Sequence, residues 1–133
     1  IDKGEHTITQ MFQQEKSFID ADEKLIHQIV LNLLSNACKY SPAGSEIVVE
    51  TFERNDEICI AVADSGIGIP QDELGRLFEP FHRLTNVGTI PGTGLGLSIV
   101  KNCVDALGGE IKVDSRMDEG TRFVVILPRA IAE

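Results

Sequence analysis

No apolar run in this sequence approaches the ~20 residues that a helix needs to span a bilayer, and nothing signal-like opens it. Basic residues are the minority: 12 Lys and Arg stand against 21 Asp and Glu, giving a net charge of −9 and a pI near 4.7. That balance argues against nucleic acid or an anionic membrane surface as a direct partner. Cysteine is scarce. Cys38, Cys59 and Cys103 are an odd number without metal-ligand spacing, each in an apolar segment, and read as small buried thiols of a reducing, cytoplasmic compartment. Repeats and low-complexity segments are lacking too. What remains is 133 residues, 42% hydrophobic and 25% charged, which suits one domain over residues 1–133 with a sizeable core. The start at Ile1 suggests an excerpt from a longer protein.

Periodicity divides the chain. Residues 6–12 and 16–20 read as two short strands around a polar turn, and Asp20 or Asp22 offers an N-cap for a helix ending at Tyr40. Ser41-Pro42-Ala43-Gly44 stops that helix. Residues 46–53 and 57–64 read as strands joined in a hairpin across Arg54-Asn55-Asp56. A short helix over 71–79, a longer one over 95–107 and strands at 110–114 and 121–127 complete the pattern. Strands and helices do not alternate strictly, which predicts a mixed or antiparallel sheet covered by helices on one face.

The first helix carries two ladders. Leu25, Ile29, Leu33 and Ala37 fall four apart, and Ile26, Val30 and Leu34 widen this stripe into a buried face. Gln28, Asn32, Asn36 and Tyr40 form a second ladder, with Lys39 beside it. Asparagine is a poor helix former, costing roughly half a kcal/mol against alanine. Two on so apolar a helix are either a solvated polar face or a wall facing a ligand: amide oxygens for a hard cation, an ammonium for an anion, a ring for something flat.

Two glycine-bearing stretches follow. Asp64-Ser65-Gly66-Ile67-Gly68 puts a carboxylate at the mouth of an apolar strand, where glycines permit close backbone approach. It reads as a tight turn or as a carboxylate that accepts the exocyclic amine of adenine, for which guanine presents an acceptor instead. Phe78 and Phe81 are expected to pin the next segment onto the core, and His82 to be an exposed loop residue. Leu84 to Thr93 lacks periodicity and reads as a lid. It leads into Gly92-Thr93-Gly94-Leu95-Gly96 at a helix N-terminus, a place for phosphates. No G-x-x-x-x-G-K-S/T is present, and the third glycine of a dinucleotide fingerprint would fall at Leu97.

In this order, NLLSNACKYS, DSGIGIP, LFEPFHR, GTGLGLSIV and Gly120-Thr121 resemble the boxes of the ATP-binding catalytic domain of bacterial sensor histidine kinases, within the gyrase, chaperone, kinase and mismatch-repair ATPase superfamily. The resemblance covers residues 8–128. It implies a two-layer α/β sandwich, with a mixed, mostly antiparallel sheet, helices on one face, and ATP between the helices and the lid. It also implies a role for each matching position. Asn36 resembles the principal Mg2+ ligand with Asn32 beside it, Lys39 a phosphate-contacting lysine, and Tyr40 the ring against adenine. Asp64 resembles the adenine-reading carboxylate, with Gly66 and Gly68 shaping its pocket. Arg83 resembles a lid arginine that reaches the phosphates, and Gly92, Thr93, Gly94, Leu95 and Gly96 the phosphate-binding loop. Thr121 resembles a threonine near adenine. Leu107 departs from the family's frequent His, with a packing consequence expected.

The reaction turns on Asn32, where hydrolytic and serine-kinase relatives carry a glutamate base. An amide takes no proton at neutral pH, so the implied reaction is transfer of the γ-phosphoryl group to a histidine, with Asn36, Lys39 and Arg83 as the catalytic set. His6, His27 and His82 lack the family's H-E-x-x-T/N-P setting. The implied acceptor lies on a separate dimerisation and phosphoacceptor domain, with a response regulator beyond it. The alternatives are a non-enzymatic ATP sensor and a hydrolase or serine kinase of the same superfamily.

Overall fold

The computed structural model describes residues 7–12, 23–42, 44–79 and 96–128. Among these residues five strands form one sheet in the order β1-β2-β3-β5-β4. They are β1 (Thr7–Phe12), β2 (Glu46–Arg54), β3 (Glu57–Asp64), β4 (Glu110–Arg116) and β5 (Gly120–Pro128). β1 runs parallel to β2, and every other pairing is antiparallel. The expected mixed, mostly antiparallel sheet is therefore found. β1 joins the sheet through β2, with Thr7 opposite Glu46. The region 16–20 and the proposed caps Asp20 and Asp22 lie outside the described residues.

Helices α1 (Glu23–Tyr40) and α2 (Gly96–Ala106) lie side by side on one face of the sheet. Strand alternation sends Ile47, Val49, Ile60, Val62, Phe123, Val125 and Leu127 toward them. There they meet Ile29, Leu33, Leu34 and Ala37 of α1 and Val100, Cys103 and Val104 of α2. The apolar stripe read from the sequence is the buried one. Each aliphatic side chain fully removed from water contributes roughly 1.5–3 kcal/mol, and this layer holds α1 at a fixed height above the ends of β2 and β3. Cys59 and Cys103 are buried, whereas Cys38 is only half-buried against the core; none of the three is in a disulfide. Leu107 packs on the same core, as its departure from histidine leads one to expect.

On the face of the sheet away from α1 and α2, small residues are covered by an ion pair. Arg122 reaches diagonally from β5 to Glu50 on β2 at 3.6 Å, across Ala61 and Ala63 of β3. Ala61 is thereby nearly inaccessible. The short helix expected over 71–79 is a 3-10 helix, Gln71–Arg76. With Gly75 inside it and Pro70 just before it, this segment has little to sustain a longer α-helix. Leu77 is buried behind it, and Phe78 meets Phe123 edge-on at 6.4 Å between centroids. Among the described residues no helix is long and apolar enough to cross a membrane.

Candidate functional site

The second ladder of α1 is half-buried at Asn32, Asn36 and Tyr40, while Lys39 is exposed. Asn32 has a defined orientation. Its Nδ2 donates to the Gln28 carbonyl at 2.8 Å and to Gln28 Oε1 at 3.2 Å. The amide nitrogen is thus committed to the preceding turn, and the remaining atom is an acceptor. Asn32 Oδ1 lies 3.5 Å from where a Cβ on Gly96 would stand. Gly96 opens α2, where unpaired N–H groups and the positive end of the helix dipole collect. Asn36 follows one turn along the same face. Lys39 Nζ stands 5.7 Å from the centroid of the Tyr40 ring, within cation–π range.

The C-terminal end of α1 is docked on the loop after β3. The Tyr40 carbonyl accepts the Ile67 N–H at 3.2 Å. Gly66 sits so close to that carbonyl that a Cβ would overlap the oxygen, so no other residue fits without moving the helix. Gly68 has φ +77°, in the left-handed region, and packs on the Arg116 carbonyl of β4. The loop is clamped from that side as well. Asp118 N–H donates to the Ile67 carbonyl at 2.8 Å, and Gln71 Nε2 donates to the Ser115 carbonyl at 2.9 Å.

Asp64 closes this end. It ends β3 directly opposite Thr121 of β5, and Thr121 is buried. Its Oδ1 accepts the Gly66 N–H at 2.8 Å. Burial pushes the Asp64 carboxyl above the ordinary carboxylate range, against the Gly66 N–H, the Thr121 N–H and the Ser41 hydroxyl, which stabilise the charged form. A partly desolvated carboxylate that keeps an acceptor face is suited to an amine donor, and a carbonyl placed there would find no proton.

The structure brings Tyr40, Asp64, Gly66, Gly68 and Thr121 together at one end, and Asn32 against Gly96 at the other, with Asn36 and Lys39 on the helix between. Arg83, Gly92, Thr93, Gly94, Leu95, Phe81, His82 and the lid of Leu84 to Thr93 lie outside the described residues, as does His6. His27 is exposed on α1. Three contributors were not singled out from the sequence. In the sequence Gln28 is only a rung of the ladder, although it orients Asn32. Ser41 is part of a helix stop. Ser115 lies beyond the expected strand end at Asp114, whereas β4 runs to Arg116. The available signal was a hydroxyl continuing the inward alternation of Ile111 and Val113.

Residues 21–131 match the family described as histidine kinase-, DNA gyrase B-, and HSP90-like ATPase. The chain belongs to that family of ATP-binding domains. It is 41% identical over 117 residues to the autoinducer 2 sensor kinase/phosphatase LuxQ of Vibrio parahaemolyticus serotype O3:K6, covering 83% of this chain and 14% of LuxQ. The mycobacterial sensor histidine kinase MprB superposes with a TM-score of 0.84 at 30% identity, covering 96% of this chain and 86% of that one. Full-length ShkA, solved in complex with AMPPNP, gives a TM-score of 0.81 at 30% identity, over 96% of this chain and 26% of ShkA. Within the family, the chain is a histidine kinase catalytic domain. It spans far less than two thirds of the length of LuxQ.

Proposed function

We propose that this domain binds Mg-ATP and transfers the γ-phosphoryl group to a histidine on a separate dimerisation and phosphoacceptor domain. On this reading residues 1–133 are one catalytic unit of a cytoplasmic two-component signalling protein, and a response regulator receives the phosphoryl group from the histidine. The observation that carries the reading is the orientation of Asn32. Its amide nitrogen is held by Gln28, and its oxygen is aimed toward the start of α2. A carboxylate there could activate water, whereas an amide oxygen accepts a hydrogen bond or a cation but takes no proton at neutral pH.

The donor set suits magnesium. Hard neutral oxygens at Asn32 and Asn36 are the ligand type that magnesium shares with substrate phosphates. When bound, the ion neutralises negative charge on the phosphate oxygens. The chain's own residues do the rest. Asp64 and Thr121 hold the base, the Tyr40 ring lies against it, and Gly66 and Gly68 let the loop backbone close around it. Lys39 attracts the phosphates from the rim, joined by Arg83 and the Gly92-Thr93-Gly94-Leu95-Gly96 loop. The reaction forms a bond from an imidazole nitrogen to the γ-phosphorus and breaks the bond from that phosphorus to the β,γ-bridging oxygen, releasing ADP. Positioning dominates such a transfer, because an imidazole is already a competent nucleophile.

Incubation with radiolabelled ATP, with and without the acceptor domain, tests this. Acid-labile label on an acceptor histidine is expected, and the chain alone should release phosphate only slowly. Rapid multiple-turnover phosphate release by the chain alone would point to a hydrolase. Binding with no transfer to any acceptor would point to a nucleotide sensor.

A further inference from the structure

The side-chain amide of Asn32 lies one helical turn from Gln28, and Gln28 meets it twice. Asn32 Nδ2 donates to the Gln28 backbone carbonyl at 2.8 Å and to Gln28 Oε1 at 3.2 Å. A backbone carbonyl can only accept, so the atom that faces it is the amide nitrogen. That nitrogen carries two protons, and Gln28 supplies two acceptors. Turning the amide over would set its oxygen against both acceptors and lose both bonds.

The other atom of the amide points across to α2. Asn32 Oδ1 is 3.5 Å from where a Cβ on Gly96 would stand, beside the first turn of that helix. An asparagine facing phosphates has two ways to hold them. Its N–H can donate to a phosphate oxygen directly, or its oxygen can ligate a cation that the phosphates share. An amide without other partners offers either, by rotating about its last bond. Here Gln28 engages the nitrogen, and Asn32 presents the oxygen. Against bare phosphate oxygens that oxygen is repulsive, and against phosphates that carry a divalent cation it is a ligand.

We propose that Gln28 is a positioning residue that makes this end of the site selective for metal-bound over metal-free nucleotide. It acts through Asn32, by occupying the amide protons that would otherwise hold a phosphate without a metal. The proposal rests on the reading of Asn32 as a wall of the phosphate site. Gln28 is exposed, and methionine in its place removes the side-chain acceptor with little change in charge, length or helix propensity. In that variant the backbone carbonyl still holds one amide proton, and the other is released.

The test is calorimetric titration of the full chain with ATP, once in excess Mg2+ and once with a chelator, read as the ratio of the two affinities. Wild type should bind more tightly in Mg2+. Gln28→Met should lower the ratio by about threefold, and should do so by tightening the metal-free complex, since the released N–H gains one hydrogen bond to a phosphate oxygen. A merely structural role would weaken binding in both conditions alike. Gln28→Glu keeps an acceptor at this position and should not lower the ratio. In an Asn32→Ala background, Gln28→Met should change the ratio by less than about 1.5-fold, because the group it acts through is gone. An unchanged ratio in Gln28→Met, an equal loss of affinity in both conditions, or the same fall with and without the Asn32 amide overturns the proposal and leaves the nucleotide reading intact. Absence of ATP binding by the wild type in Mg2+ overturns both.

Discussion

The two ends of the proposed site, one for the base and one for the phosphates, are built differently. At the base end, Asp64, Gly66, Ile67, Gly68 and Thr121 are tied by hydrogen bonds or close backbone packing to α1, β4 and β5. At the phosphate end, among the described residues, Asn32 is held by the preceding turn of its own helix, and Lys39 is exposed. A pocket that reads a flat base gains from rigid, prepaid geometry, since each misplaced donor or acceptor loses its hydrogen bond. A site that handles a transferable, highly charged group gains from side chains that are completed by the ligand itself. The contrast predicts that substitutions at the phosphate end change rate and those at the base end change affinity and selectivity.

The largest effect tests the phosphate end. Asn36→Ala removes a proposed metal ligand from a half-buried helix position where alanine is the better helix former, so the fold should persist. Phosphoryl transfer to an acceptor domain should fall by about 10²–10³-fold, by analogy with the loss of one preorganised electrostatic contact. A folded variant with near-normal transfer would show that the metal is held elsewhere. At the base end, Asp64→Asn should weaken ATP binding by about 10–100-fold, the equivalent of one buried hydrogen bond to a charged group. It should also remove most of the preference over GTP. Retained preference would mean that the base is read by other groups. Lys39→Ala should be milder. An exposed ammonium contributes about 0.2–1 kcal/mol, so a loss of at most about fivefold in ATP affinity is expected, fading at high salt. A loss that high salt leaves unchanged would show that Lys39 is buried by the nucleotide.

What the sequence made legible follows from how local each signal is. The α1 stripe of Ile29, Leu33 and Ala37 is a 3.6-residue period that survives in any fold, and it is the buried face here. The β2–β3 hairpin was equally plain, since Arg54 and Glu57 flank a two-residue turn with Asn55 and Asp56 both at positive φ. The parallel pairing of β1 with β2 was not, because backbone hydrogen bonds between distant segments leave no mark on either. The β4 end was lost for a related reason. Ser115 and Arg116 look like loop residues until the partner strand and Ile69 arrive to satisfy them. At the candidate site, Asp64, Asn32 and Thr121 stand out in the sequence, whereas their neighbours Gln28, Ser41 and Ser115 do not, since a residue that acts through another has no motif of its own.

The smallest effect sharpens the contrast through pH, because Asp64 should push two observables in opposite directions. Burial raises its carboxyl above the ordinary value of 3.8 in the folded protein. Between that ordinary value and the raised one, the folded state binds more protons than the unfolded state. Stability of the nucleotide-free protein should therefore gain from Asp64 as pH falls through the raised pKa, and that gain should be complete below the unfolded value. The difference in melting temperature between wild type and Asp64→Asn isolates this contribution, and it should move in favour of wild type on acidification. Affinity for ATP should run the other way. An amine donor favours the carboxylate over the carboxylic acid, so binding weakens as Asp64 takes up its proton, beginning at a pH above the usual aspartate range. Asp64→Asn, with nothing to titrate there, should lose that part of the pH dependence. A melting difference that stays constant with pH would mean that Asp64 titrates alike in the folded and unfolded chains. An ATP affinity whose pH dependence is the same in both proteins would mean that its charge is not what holds the base.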